Sequence, residues 1–246
     1  MKLLILLILL AFSGSALSQA KQIVTAYSYH LKPPLIVDLA TQRGLYFDLL
    51  DYLNQTNQQY HFELVFVPRK RIERMLDSGT FDGILLGVNP IWFKDKEEEK
   101  YLWTSRVFTD RDEIISLKNT PLEYSDSASI QDKVFGGVRG FYYFGINELI
   151  KDKKALRVDT VNEVELFTML MHKRIDVAVV SRSTYDYLVR LNQWQDEFHL
   201  SRKPHDIFDR RILVPKSHTN IFEHIVPFID NLQYDKGWQA RLNSYK

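Results

Sequence analysis

The feature that most constrains this chain is a repeated alternation of short apolar runs with amphipathic segments. Residues 23–27 (IVTAY) form a strand-like run, and residues 45–53 (LYFDLLDYL) place apolar side chains at helical spacing. Residues 62–67 (FELVFV) alternate and stop at Pro68. Residues 71–76 are helical, and Ser78-Gly79 carries a glycine stop signal. Residues 82–88 (DGILLGV) read as a buried strand. This β-α-β-α-β order predicts a parallel sheet covered by helices.

The second half repeats the grammar. Residues 134–138 predict a strand that enters the glycine-rich stretch GGVRGFYYFG, residues 136–145. Residues 144–151 are helical, 156–161 a strand, and 163–171 (EVELFTMLM) a strong helix that Asn162 can cap. Residues 176–180 (DVAVV) read as a buried strand, followed by a helix over 183–191. Residues 220–245 predict two closing helices. Residues 112–118 (DEIISLK) lead from the first half to the second, and residues 211–214 (RILV) lead back. Two crossings imply two α/β lobes with a cleft between them, at the C-terminal ends of the strands, where such sheets bind ligands.

The first twenty residues explain where such a fold would work. Lys2 precedes ten unbroken apolar residues, 3–12, and Ser18-Gln19-Ala20 fits a small-x-small cleavage pattern. Ten residues are too few to span a bilayer, so residues 1–20 are expected to be a cleaved secretory signal peptide, with a periplasmic mature protein. The chain has no cysteine, which excludes a lipid-anchored cysteine after cleavage. A chain of this length can bury its core without disulfides. Formal net charge is +1, and loss of Lys2 leaves the remainder neutral. Nucleic acid and anionic membrane are thereby disfavoured as partners, since both require a basic surplus. The aromatic share of 13% is enough to supply a ligand site as well as a core.

Five ordered pieces carry a resemblance. They are IVTAYSYHLKPPLIV, GLYFDLLDYLN, ERMLDSGTFDGILLGV, KVFGGVRG and RIDVAVVSRSTYDYLV, with the LxSGxxDG pattern of residues 76–83 the most telling. Together the chain resembles the extracellular solute-binding proteins of family 3, the amino-acid-receptor-like class with a type II periplasmic-binding-protein fold. The resemblance implies a two-lobed Venus flytrap, each lobe a mainly parallel sheet flanked by helices, with the ligand held in the interlobe cleft. It implies lobe 1 over residues 21–113 and 207–246 and lobe 2 over 114–206. It further implies a monomer that captures a small polar or anionic ligand, an amino acid or related organic acid, by lobe closure, without a cofactor. An inner-membrane ABC permease is the implied partner, with a membrane sensor receptor as the alternative.

The same resemblance selects site residues. In the family the turn after the residue 134–138 strand holds a ligand carboxylate with hydroxyls and backbone N–H groups. Here Gly140 is followed by Phe141 and Tyr142, which predicts a pocket rim with an aromatic plate. The stretch lacks the Gly-Lys-Ser/Thr of a phosphate loop and the central serine of a nucleophile elbow. Arg139 reads either as a clamp on a ligand anion or as a surface charge. Asn89 and Ile91 stand where the family carries hydroxyls, and Lys94 stands where it carries an arginine fork, which lysine cannot reproduce. Lys94 also opens the polar run KDKEEEK, readable as a solvated helix face. Arg71 is a second candidate guanidinium, or a surface helix residue. Ser181 occupies the place of the family's acidic partner for a ligand ammonium. Tyr29 and Trp92 are candidate stacking rings.

An enzyme is the less favoured reading. The seven histidines, at 30, 61, 172, 199, 205, 218 and 224, form no HxxH or HExxH spacing, and no serine-centred motif occurs. Dehydratases of this fold place an acid in the cleft, and the pattern offers only Asp82 for that position.

Overall fold

The computed structural model describes residues 20–56 and 58–245. The expected signal peptide lies, but for Ala20, outside the described residues. Among these residues no helix is long and apolar enough to cross a membrane.

The predicted alternation is realised almost element for element. Lobe 1 opens with β1 (Gln22–Ser28), α1 (Leu45–Thr56), β2 (Tyr60–Phe66), α2 (Arg69–Asp77) and β3 (Ile84–Val88). A short β4 (Tyr101–Trp103) precedes the long crossing strand β5 (Phe108–Leu117). Lobe 2 continues with β6 (Val134–Val138), α3 (Ile146–Lys151), β7 (Leu156–Thr160), α4 (Glu163–Met171), β8 (Val177–Ser181), α5 (Arg182–Asn192) and β9 (Phe198–Leu200). The second long strand, β10 (Asp206–Pro215), returns to α6 (Thr219–Asn231) and α7 (Lys236–Ser244).

Strand order is β2-β1-β3-β10-β5-β8-β6-β7, with β4 added on β10 and β9 on β5. The outer pairs in each half are parallel, β1 with β2 and β3, and β6 with β7 and β8. The two ten-residue strands β5 and β10 run antiparallel to each other from Phe108–Arg210 to Asp112–Asp206 and join the halves. The halves therefore share a covalent and hydrogen-bonded spine.

Both faces of each half are covered, as a doubly wound sheet requires. In β3, Ile84 and Leu86 pack under α1 and α6 and Leu85 under α2, while Val88, just past Gly87 with φ 68°, joins the Leu85 side. In β8, Ala178 and Val180 face α4 while Val177 and Val179 face α3. Period-two burial on both faces is why these strands read as continuous apolar runs. Asn162 caps α4 by accepting from the Glu165 N–H, as its sequence position predicts. Gly79 ends α2 with a left-handed φ of 68°.

Three local readings change. The run KDKEEEK is not a helix: Asp95 is buried and accepts from Lys100 N, Tyr101 N and Trp103 Nε1, which folds the segment into a tight loop. Three hydrogen bonds to one carboxylate outweigh the weak helical preference of the charged residues. The helix expected from residue 144 starts only at Ile146, after Gly145 with φ 76°. The three-residue strands β4 and β9 are too short to carry a period of their own and form only because β10 and β5 present free edges.

One glycine is dictated by strand packing. Gly83 has φ 137°, and a Cβ there would lie 2.1 Å from the Thr25 carbonyl oxygen of β1. Gly83→Ala is therefore expected to destabilise the fold by about 3 kcal/mol or more, read by urea unfolding. A loss below about 1 kcal/mol would show that β1 and β3 separate without cost.

Candidate functional site

The chain leaves a strand and turns into the cleft four times. Tyr29 and His30 follow β1, residues 89–92 follow β3, residues 139–142 follow β6, and Ser181 ends β8. These C-terminal ends surround a cavity of about 750 Å³. Its walls are rich in rings, among them Tyr29, Trp92, Phe141 and Phe208. Phe141 of lobe 2 meets Tyr29 of lobe 1 edge-on at 5.8 Å, so the lobes touch across the cleft. Trp92 packs edge-on against Phe208 at 4.7 Å.

Of the residues singled out in the sequence, Tyr29, Trp92, Lys94, Gly140, Phe141, Tyr142 and Ser181 line this cavity. Arg71, Asn89 and Arg139 do not. Asn89 is spent on structure: its oxygen accepts from Ile91 N to cap a short 3₁₀ turn, and its amide donates to Asp209 O. Arg139 is exposed beyond the end of β6. Arg71 is exposed on α2 because two residues carry a helix about 200° round its axis.

The α2 guanidinium that does enter is Arg69, at the first position of the helix. Its Nε donates to Glu73 Oε1 at 2.9 Å, Nη1 to Tyr29 Oη at 3.3 Å and Nη2 to Trp92 O at 2.8 Å. Each terminal nitrogen keeps one further N–H. The same group lies 5.2 Å from the Tyr29 ring centre and 5.3 Å from that of Phe93. Arg69 is thus held rigid by rings and a carboxylate, with donors left for an anion.

Part of the backbone of the glycine stretch is committed to the fold, Arg139 N among it, donating to Thr160 O at 2.9 Å. Phe141 N donates to Val138 O and Tyr143 N to Asn147 Oδ1, each at 3.0 Å. Gly136 serves packing, since a Cβ there would lie 2.3 Å from Ile175 Cδ1. The stretch is a rim bearing aromatic side chains.

The floor of the cleft is a buried charge network, built around Ser181. Lys32, just beyond β1, forms an ion pair with Glu163 of α4 and donates to Ser181 Oγ. Ser181 N donates to Glu163 Oε2 at 2.9 Å. Arg210 of β10 donates through Nη2 to Ser181 Oγ at 3.0 Å, through Nη1 to Gly87 O at 3.1 Å, and through Nε to Asp110 Oδ2 at 2.8 Å. Asp110 also accepts from Ser183 N and Oγ. The Ser181 proton can go to Asp112 Oδ1 at 3.3 Å or to Glu163 Oε1 at 3.4 Å.

Two cations, Lys32 and Arg210, face three carboxyls, Asp110, Asp112 and Glu163. The titration directions follow. Burial opposes the charge on Asp110, but the adjoining Arg210 and then Lys32 outweigh it and hold its pKa down. Burial, and then the charge of Glu163, push Asp112 up to about 7. Burial, and then the charges of Arg210, Lys32 and Arg69, push His30 well below its usual value, so His30 is neutral. Asp82 is 91% exposed and pairs with His218, outside the cavity, whose lining acids are Glu73, Asp77, Asp112, Glu163 and Asp206. Among the described residues no group of three or more His, Cys, Asp and Glu is placed to hold a metal ion.

Lys32, Arg69, Asp112, Glu163 and Arg210 had no local signal in sequence. Asp112 and Ser181 are neighbours only through the β5–β8 ladder, and Asp110 meets Arg210 only through the spine.

With the geometry described, comparison with known proteins identifies the class. No family model and no curated protein matches the chain. Solved structures do match. The GluR0 ligand-binding core in complex with L-glutamate is 14% identical with a TM-score of 0.73, over 92% of this chain and 99% of that one. Holo ArgBP from T. maritima is 15% identical with a TM-score of 0.67, over 91% of this chain and 96% of that one. The substrate-binding protein of an amino acid ABC transporter is 13% identical with a TM-score of 0.68, over 89% and 96%. The chain therefore has the two-lobed periplasmic-binding-protein fold of type II, the fold its ordered motifs resemble.

Two outcomes test the network. Lys32→Met leaves the Glu163 carboxylate buried without a cation and is expected to cost about 3–5 kcal/mol in urea unfolding. The double change Lys32→Met with Glu163→Gln should recover part of that loss; no recovery would show that Lys32 acts through packing alone. The second outcome follows from Asp112. Folded, it keeps its proton up to about pH 7, whereas unfolded it loses it near 4. Its ionisation therefore erodes stability as pH rises through that window, with the full cost present above 7. Asp112→Asn should accordingly gain melting temperature over the parent between pH 5 and pH 8, and an unchanging difference would show that Asp112 is not desolvated.

Proposed function

We propose that the protein is an exported solute-binding protein that closes its two lobes on a small ligand carrying an anionic group, an amino acid or a related organic acid. The observation that carries this is the cleft itself: a ring-lined cavity between two halves joined by β5 and β10, with the preorganised Arg69 guanidinium at its wall. Lobe 1 comprises residues 21–113 and 207–246 and lobe 2 residues 114–206, and closure turns on the two spine strands. Tyr29, Trp92, Phe141 and Tyr142 provide apolar contact, Arg69 and Lys94 positive charge, and Gly140 and Ser181 polar contact on the lobe 2 side. The matched structures support a capture role: they include complexes with L-glutamate and with arginine and a transporter's substrate-binding protein. Delivery to an inner-membrane ABC importer is the favoured role, and no chemical step is assigned to the site.

Closure stores only the free energy by which the closed form binds ligand better. A micromolar affinity, roughly −8 kcal/mol, is within reach of a few charge-assisted hydrogen bonds and one buried ring contact.

The test is thermal melting of residues 21–246 against amino acids, dicarboxylates, aromatic acids, polyamines and sugars. A ligand at 100 times its Kd adds about 2.7 kcal/mol, which for this length raises Tm by about 5–11 °C. Arg69→Ala should weaken an anionic ligand at least tenfold while Arg71→Ala leaves it unchanged, and the reverse pattern would move the anion contact to the outer face of α2. Flat melting curves across the panel would count against capture of a small solute.

A further inference from the structure

Of the three carboxyls on the cleft floor, Asp110, Asp112 and Glu163, Asp112 is the one without an ion-pair partner. Lys32 is committed to Glu163, and Arg210 to Asp110. Asp112 receives only the Ser181 hydroxyl at 3.3 Å, a proton that Glu163 competes for at 3.4 Å. Among the described residues no hydrogen bond reaches Asp112 Oδ2, and the residue is partly open to the cavity it lines.

The groups facing Asp112 increase the imbalance. On its own strand Asp110 is negative and paired, and Arg111 turns to Glu113 on the opposite side. On β10 its register partner is Asp206, an exposed carboxylate that lines the same cavity. On α4 stands Glu163, whose charge raises Asp112. Lys32 and Arg210 lower it without cancelling that effect. His205 meets Asp112 only through its backbone N–H, which donates to the Asp112 carbonyl at 2.8 Å. With every carboxyl ionised, Asp110, Asp112 and Glu163 exceed Lys32 and Arg210 by one negative charge, and Asp206 adds a second.

We propose that the Asp112 carboxyl is the seat for a cationic group of the ligand, an ammonium or guanidinium. The inference rests on the capture reading above and narrows its ligand class from organic acids in general to molecules that also bear a positive charge. A carboxylate placed on this floor would meet Asp112, Glu163 and Asp206, whereas a cation neutralises the surplus. Arg69, on the α2 wall, is left for the anionic end.

Seating a cation requires the ionised carboxylate. At a pH below about 7 Asp112 holds a proton, and capture expels it to solvent. Affinity for a cationic ligand therefore falls as the medium is acidified, by about tenfold per pH unit below that point. A ligand without a positive charge shows no such loss.

The experiment is isothermal titration of residues 21–246 with L-arginine, L-phenylalanine, 2-phenylethylamine and 3-phenylpropionate at pH 5.5, 6.5 and 8. At each pH the titration is run in two buffers that hold that pH and differ in ionisation enthalpy, acetate and MES at pH 5.5, phosphate and imidazole at pH 6.5, phosphate and Tris at pH 8, to count protons. The expected result is binding of at least one ammonium-bearing probe, close to one proton released per ligand at pH 5.5, and near none at pH 8. Asp112→Asn should bind that probe at least tenfold more weakly at pH 8 and lose the pH dependence. Binding of 3-phenylpropionate alone, equal in parent and variant, would overturn the cation seat and leave the capture reading standing. Cation binding without proton release would overturn it too. Silence from all four probes at every pH would overturn the cation seat, and the wider melting panel then decides the capture reading.

Discussion

The ammonium of Lys32 is the point on which the two lobes agree. It leaves lobe 1 just after β1 and ends between Glu163 and Ser181 of lobe 2. A buried ion pair of this kind adds little net stability over well-packed apolar residues, because both charges must shed water. Its value lies in geometry. A misplaced lobe leaves a carboxylate and an ammonium dry and apart, which is far costlier than the correct pairing is favourable. Ser181 extends the constraint to Arg210, and Arg210 to the Gly87 carbonyl and Asp110. One hydroxyl therefore ties both lobes and the spine between them.

That network also explains why the walls of the cleft are aromatic. Charges on the floor satisfy one another, so little of their hydrogen-bonding capacity faces the cavity. The walls are left to rings, and the Phe141 edge against Tyr29 is the apolar counterpart of the Lys32 bridge. Arg69 fits this scheme because rings and Glu73 fix it without using all its donors. Asp112 is the exception, an acid beside a paired acid, and its position on the spine puts it where closure would bring a ligand.

The spine strands matter for a second reason. Antiparallel pairing from Phe108–Arg210 to Asp112–Asp206 fixes the register between the two halves. It also carries Asp110, Asp112 and Arg210 to the cleft floor.

The sequence by itself determined the secondary structure and the class of fold. Period-two burial in β3 and β8, helical spacing in α1 and α4, the Asn162 cap and the Gly79 stop are local and survive any partner. The rim residues Tyr29, Trp92 and Phe141 were legible as well, because turns that follow strands point into such clefts. The tertiary structure alone decided which charges enter. Arg69 and Arg71 differ in sequence by two places, and only the way α2 packs tells the inner one from the outer. Asp112, Glu163 and Lys32 come from three elements far apart in the chain, and no spacing rule relates them. Electrostatic partnership acts through space, so it becomes visible only once the sheet has set the distances.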